Sequence, residues 1–407
     1  MQKLLPALLL CCSITGQLYA QQPDTLFSKA RSLAADKKYP ESISVMQQLH
    51  NSYPENEDYT LYLSRLHFWN NDPKQAAYTL KTICNDKSSS NLEALDLLIR
   101  AALAQKNTEE AIQLAAKGSV LFSEEQHRFL FLKAQALEQA GKDTDAIIAL
   151  DSIAATAPNH KDVAYLLTTI LKKQKNSLSV SYMQTGVNKP QSTTQHFAYV
   201  EYGRTFKSHT QLFRLNYVNA YDKSSFMLES DAYVKLGKKN YVYLNAGVSD
   251  KRSVFPAIKL GAELYQEAPH FSASMGGRYL YFARNSDAIL LTGHIAGTAQ
   301  SWTLNYRPFI LLQQNKTLLS HVAYLRHSFS NRESYIQFDA QYGNLPYFLY
   351  TTDLFSRLSA YRIGLSGKAR LCRNYFVQPA MMFEKEEYIP DAYRSRYTIQ
   401  LILSKRF

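Results

Sequence analysis

The sequence predicts an α + β multidomain chain: an N-terminal α-solenoid of helical repeats, then a C-terminal antiparallel transmembrane β-barrel of about 14 strands, with roughly 12–16 admissible. Three observations predict it. Apolar residues recur at helical spacing up to residue 175 and alternate one by one beyond it. Residues 1–175 hold 19 Lys/Arg and 19 Asp/Glu, whereas residues 176–407 hold 27 and 15, so the whole net charge of +12 belongs to the second part. Of the 51 Phe, Tyr and Trp, 38 lie in that part too. A composition change this sharp marks a domain boundary, giving segments 1–20, 21–175 and 176–407.

The first segment reads as a secretory signal peptide. Met1-Gln2-Lys3 is followed by an apolar run from Leu4 to Cys12, then small and polar residues up to Ala20, after which cleavage is expected. The run is too short to span a bilayer as a helix. A lipoprotein signal wants a small residue before its cysteine, and Leu10 and Cys11 precede Cys11 and Cys12, so lipidation is set aside. Cys84 and Cys372 remain, far apart and without a Cys-x-x-Cys partner, so neither a disulfide framework nor a metal site is expected.

Between residues 21 and 175, Leu26, Ala30 and Leu33 fall on one helical face, as do Ile43, Met46 and Leu49. A repeat emerges when Ser42, Ala76, Ala111 and Ala146 are aligned, at intervals of 34, 35 and 35 residues. A polar turn precedes each (Asp36–Tyr39, Asn70–Pro73, Gln105–Thr108, Ala140–Asp143). Met46, Leu80, Ala115 and Leu150 follow, then Leu49, Ile83, Gly118 and Ile153. Pro54 and Pro158 end the first and fourth units, and Val163 to Leu171 reads as a capping helix. The pattern resembles the tetratricopeptide repeat, best in the fourth unit (Ala134, Leu137, Gly141, Ala146, Leu150, Ile153, Pro158). The second departs most, with His67 and Ser88 where an apolar residue and a proline are usual. The resemblance implies a groove that holds a protein partner and no chemistry of its own.

Beyond Lys175 the strands show themselves by alternation. Phe226, Leu228, Ser230, Ala232, Val234 and Leu236 oppose Met227, Glu229, Asp231, Tyr233 and Lys235. Trp302, Leu304, Tyr306, Pro308 and Ile310 oppose Thr303, Asn305, Arg307 and Phe309. Ile336, Phe338, Ala340 and Tyr342 oppose Tyr335, Gln337, Asp339 and Gln341. Fourteen such windows start near residues 177, 195, 209, 225, 239, 256, 270, 287, 300, 316, 332, 358, 371 and 393. Each is roughly 10–14 residues, which suits a tilted membrane-spanning strand. Short connections at 206–209 and 237–240 are expected on the periplasmic side, and longer ones at 186–194, 250–255, 343–357 and 385–392 outside. A soluble β-sandwich also alternates, but length, tyrosine content and the export signal favour the barrel. So does the final stripe Tyr397, Ile399, Leu401, Leu403, Phe407, interrupted by Lys405, which resembles the mark read by the outer-membrane insertion machinery.

Helical repeats followed by a small Tyr-rich barrel ending in Phe407 resemble the YaiO family of outer-membrane proteins, across essentially the whole mature chain. The resemblance implies an outer-membrane location in a Gram-negative cell and little about activity. A wider architectural analogy is to exopolysaccharide secretins, whose repeats hold periplasmic partners; it operates at the level of fold.

No phosphate loop, zinc helix or calcium loop occurs. Gly364-Leu365-Ser366-Gly367 lacks the spacing of a nucleophile elbow, and Ser320 and His321, adjacent in a strand, point to opposite faces. No catalytic residue, enzyme activity, cofactor or nucleic-acid partner is expected. The residues of interest are charges on the predicted inner faces: Arg214, Glu229, Asp231, Lys235, Lys259, Glu263, Arg307, Asp339 and Arg362. Basic groups cost several kcal/mol against lipid, so the lumen is their place. They either pair across the barrel or form a wall selective for an anionic glycan or solute, in which case Arg214→Glu with Arg307→Glu should reverse ion selectivity. Loop charges would meet lipopolysaccharide. The expected function is a conduit or accessory for surface-polysaccharide or small-molecule passage, with an unidentified periplasmic protein on the repeats. A closed barrel anchoring a scaffold is the alternative, and an acyl hydrolase a more distant one.

Overall fold

The computed structural model describes residues 23–84, 91–157, 160–190, 192–220, 222–250, 254–282, 286–313, 316–329, 333–344 and 359–407. The signal-peptide segment, Ser88 and Pro158 lie outside them. The chain divides into two compact units, 1–163 and 164–407.

The first unit consists of consecutive antiparallel-style helix pairs: α1 (Pro23–Ala35) with α2 (Tyr39–Ser52), α3 (Glu57–Trp69) with α4 (Pro73–Cys84), α5 (Leu92–Ala104) with α6 (Thr108–Leu121), and α7 (Gln126–Gln139) with α8 (Asp143–Thr156). A further helix, α9 (Lys161–Lys173), crosses the division between the units and buries Val163, Leu167, Ile170 and Leu171 on one face. The four aligned small residues Ser42, Ala76, Ala111 and Ala146 are wholly buried, which lets the paired helices approach closely. Ser42 fits among the alanines because its hydroxyl donates to the Ala30 carbonyl, 2.7 Å away. Each pair turns through one residue with positive φ, at Lys37, Asn71, Lys106 and Gly141. Around it the chain repeats one pair of hydrogen bonds, for example Lys106 N to Leu103 O and Asn107 N to Ala102 O. This is the Schellman ending, which satisfies the last helical carbonyls. Gly118 stands where the other units carry leucine or isoleucine, and the Phe129 ring occupies the space a side chain there would need. His67 lies in the last turn of α3 with its Nε2 buried and unbonded, and burial pushes its pKa below the ordinary value despite the opposing charge of Asp72.

The second unit is a closed barrel. Its strands are β1 (Asn176–Val187), β2 (Thr193–Thr205), β3 (His209–Ala220), β4 (Lys223–Lys235), β5 (Asn240–Ser249), β6 (Ile258–Ala268) and β7 (Phe271–Phe282). They continue with β8 (Ser286–Ala299), β9 (Trp302–Gln313), β10 (Lys316–Ser328), β11 (Tyr335–Gly343), β12 (Ser359–Cys372), β13 (Tyr375–Ile389) and β14 (Ala392–Arg406). Every strand pairs antiparallel with its neighbours in sequence, and β1 pairs with β14, from Ser177 opposite Arg406 to Val187 opposite Arg396. Fourteen strands therefore close without an edge, and the even number puts the start of β1 and the finish of β14 at one end, here the near end.

One expected connection is corrected. The segment 385–392 is not a long loop: β13 runs on to Ile389, with a bulge between Glu387 and Ile389, and meets β14 across Pro390 and Asp391. Glu386, inside the expected loop, and Glu384, just before it, point inward and pair with arginines. The 343–357 connection lies mostly outside the described residues. At 254–257 the chain turns inward: Val254, Phe255, Pro256 and Ala257 are buried, and Val254 and Phe255 pack on Met183, Phe197, Val218, Ala220 and Met227 of β1 to β4.

Candidate functional site: the lumen wall

The alternation of each strand sorts side chains into two faces, and the apolar face is the exposed one. Val180 and Tyr182 on β1, Phe213 and Leu215 on β3, Leu260 and Leu264 on β6, Leu304 and Tyr306 on β9, and Ile363 and Leu365 on β12 are all exposed. The stripe Tyr397, Ile399, Leu401, Leu403 and Phe407 is exposed in the same way, and Lys405 of that stripe lies 5.2 Å over the Tyr375 ring. Large apolar patches on a soluble surface are rare; a belt carried by every strand of a closed barrel is a lipid-facing surface. No helix among the described residues is long and apolar enough to cross a membrane.

The opposite face carries the ionisable groups. The first cluster spans β2 to β6. Arg214 binds Glu201 on one side, Glu229 at 3.3 Å on the other, and Asp231 at 3.2 Å. Lys259 pairs with Glu229 from two strands away. Asn216 and Asn245 donate to the same carboxylate at 3.0 and 2.9 Å. A cavity of about 220 Å³ lies between this cluster and the inserted segment, lined by Arg214, Asn216, Glu229, Phe255, Lys259 and Gln400 among others. The second cluster spans β6 to β9: Glu263 accepts from Arg307 at 2.8 Å and lies 3.8 Å from Arg278. Ser274 donates to Glu263 and lies 2.6 Å from His294 Nδ1, while Ser272 lies 3.0 Å from Nε2 of that ring. The third spans β12 to β14, where Arg362 meets Glu384 at 3.2 Å and Glu386 binds both Arg394 and Arg396.

The structure thus brings together Arg214, Glu229, Asp231 and Lys259, and separately Glu263 and Arg307. Asp339 and Arg362 share a neighbourhood without pairing: Asp339 accepts from Gln337 at 2.7 Å, and Arg362 also donates to Gln341 at 2.7 Å. Lys235 lies on the same face of β4 as Glu229 and Asp231, but at the exposed near end and outside their cluster. Ser320 is buried in the wall while the next residue, His321, meets Tyr306 at 2.7 Å on the exposed face. The partners Glu201, Arg278, Glu384, Glu386 and Arg394 escaped the sequence reading, although alternation from Phe197 and Tyr199 reaches Glu201, and Arg396 falls on the polar face opposite the stripe of Tyr397 and Ile399. Replacing Arg214 would strand three carboxylates beside one lysine, and an uncompensated buried charge is costly. Arg214 and Arg307 are therefore poor sites for reversing selectivity.

The wall changes character along the axis. At the far end the wall is apolar in two sectors, at Phe255 and at Leu280, Phe282, Leu290, Phe309 and Leu311, while the third cluster, with Glu386 between Arg394 and Arg396, occupies the β13–β14 side of the same end. At the near end, on β10 to β14, cations gather. Lys368 and Arg406 lie 5.0 and 4.7 Å over the Phe376 ring, and Arg326 lies 4.2 Å over Tyr335, across the strand pair from Lys368. Glu333, bound to Arg406 at 2.7 Å, is the carboxylate of that group.

Residues 175–348 match the family model described as the YaiO membrane beta barrel domain; the closed sheet continues beyond the match through β12, β13 and β14. No curated protein matches. Among solved structures, the chain is similar to a bacterial polysaccharide outer membrane secretin, at 6% identity over 57% of this chain and 99% of that one, with a TM-score of 0.43. It is similar to the CymD monoaromatic hydrocarbon channel at 8% identity over 61% and 93%, with a TM-score of 0.38. MamA matches at 14% identity over 37% and 81%, with a TM-score of 0.34. The chain is an outer-membrane β-barrel protein whose residues 175–348 match the YaiO membrane beta barrel domain, preceded by consecutive helix pairs.

Proposed function

We propose that the protein is a conduit, or the outer-membrane accessory of one, for surface polysaccharide or small-molecule passage, with its helix pairs in the periplasm holding a protein partner. One observation carries the reading: the inner wall is lined by hydrogen-bonded ions and amides on nearly every strand, a polar lining inside an apolar shell. A barrel that served only as an anchor could fill its interior with apolar side chains, with no charges to compensate. The cations at the near end, Arg326, Lys368 and Arg406 around Glu333, favour an anionic solute, since a ring of one charge sign selects the other. In this reading the barrel performs no covalent chemistry.

A second reading, an anchored scaffold with a filled lumen, draws on the inward fold of Val254 and Phe255 and the apolar cluster of Leu280, Phe282, Leu290, Phe309 and Leu311. Single-channel recording of the purified full-length protein in a planar bilayer under a salt gradient separates the two. Anion-preferring steps, weakened in Arg326→Glu/Lys368→Glu, are the expected result. A folded protein that never conducts means the scaffold.

A further inference from the structure

Outer-membrane barrels place tyrosines in girdles at the lipid interface, but one group here faces the other way. Tyr233 of β4, Tyr241 and Tyr243 of β5, and Tyr265 of β6 share the inward face with Asp231, Asn245 and Glu263, at the near end of the barrel. Their rings form one continuous arc that reaches His294 on β8. Tyr243 lies 5.1 Å and Tyr241 6.2 Å from Tyr233, Tyr241 stacks on Tyr265 at 4.5 Å, and Tyr265 lies 5.2 Å from His294. The arc is held in place from its edges. The Tyr243 hydroxyl donates to Asp231 at 2.8 Å, and Arg307 donates to the Tyr265 hydroxyl at 3.1 Å. Arg278 lies 5.9 Å from the centre of the Tyr243 ring. Tyr233 is 37% exposed although it points inward.

Rigid aromatic faces bordered by carboxylates and guanidinium groups suit one ligand chemistry well. A pyranose ring has an apolar C–H face, which lies flat on an aromatic ring, and a rim of hydroxyls, which bond charged acceptors and donors. An aromatic hydrocarbon would use the faces and leave the polar border unpaired, at a cost. We infer that Tyr233, Tyr241, Tyr243 and Tyr265 form a stacking platform for the sugar rings of an oligosaccharide at the near end of the lumen, with Asp231 and Arg307 fixing the rings through their hydroxyls and Arg278 beside them. The inference builds on the proposed conduit by naming where a glycan is held, and its test does not require current to flow.

Maltohexaose and trigalacturonic acid, one neutral and one acidic, are titrated calorimetrically into the purified full-length protein in detergent. At least one should bind, and Tyr233→Ala/Tyr241→Ala should weaken it about tenfold or more, while Tyr233→Phe/Tyr241→Phe retains it. Heat-modifiable migration on gels reports that each variant is folded. If the alanine pair fails to fold, Tyr233→Leu/Tyr241→Leu keeps bulk without an aromatic face and should lose binding alike. Binding of neither sugar, or binding indifferent to the alanine and leucine pairs, overturns the platform. Binding by a non-conducting barrel keeps the platform and removes the conduit; conductance without binding does the reverse.

Discussion

Asp96 on α5 shows how much a single side chain of the helical array carries. It is buried to 5% exposure, with Arg100 at 2.7 Å and Arg128 of α7 at 2.8 Å. Burial opposes its charge, but the hydrogen bonds and charges of Arg128 and Arg100 outweigh that and hold the carboxyl below its usual range. A carboxyl depressed in the folded state stabilises fully above its unfolded value, near 3.9, and that stabilisation is lost as pH falls through the lower folded value. Asp96→Ala should cost about 1–3 kcal/mol at neutral pH, the usual worth of hydrogen bonds to a charged group. It should also remove part of the acid sensitivity below about pH 4. Urea unfolding followed by circular dichroism at several pH values checks both; equal acid slopes in the parent and the variant would refute the assignment. The sequence offers no sign of this triad, since Arg128 is 32 residues from Asp96 and only folding joins them. Gly118 was visible as an exception in its repeat column, but its reason, the Phe129 ring, became visible only in three dimensions.

At the scale of the element, the strands were legible because alternation is a backbone property: side chains of period two, one face in lipid and the other in the lumen. Window starts fall within a few residues of the strands, and the helix pairs follow the 34- and 35-residue spacing for the same kind of reason. The failure at 385–392 is instructive. Charged runs read as loops wherever the alternative is an apolar core, but a polar lumen accepts them. Glu384 and Glu386 face Arg396 and Arg394 while the residues between point elsewhere. The outward stripe of β14 should be intolerant of charge. Leu401, 45% exposed, opposes Tyr182 of β1 and Pro379 of β13. Leu401→Arg should destabilise the barrel by about 2–4 kcal/mol if it lies at midplane depth, read as a lower temperature of heat-modifiable unfolding in liposomes. Gln400→Arg, one residue away on the inner face, should cost less. Equal sensitivity at the two positions would contradict the assignment of faces.

For the whole molecule, composition separates a helical part from a barrel part, but the pairing of inner charges was illegible because it links residues up to 73 apart, as in Glu333 with Arg406. Sidedness follows from parity together with the proposed periplasmic place of the helix pairs. The near end carries Asn176, where β1 starts, and Phe407, whose backbone bonds Asn176 in both directions. Cys372 belongs to that end, because β12 finishes there and the Arg406 amide bonds Asn374 just beyond it. It is an exposed thiol, whereas burial pushes the Cys84 thiol up to about 11, against the opposing charge of Lys117, which makes Cys84 slow to react. In a Cys84→Ser background a membrane-impermeant maleimide should therefore leave Cys372 unlabelled in intact cells and label it once the outer membrane is permeabilised. Thr193→Cys, at the opposite end where β2 starts and exposed, should label in intact cells when Cys372 is also replaced by serine. Labelling of Cys372 in intact cells, with Thr193→Cys protected, would turn the barrel over and place the helix pairs outside the cell, where no periplasmic partner could reach them.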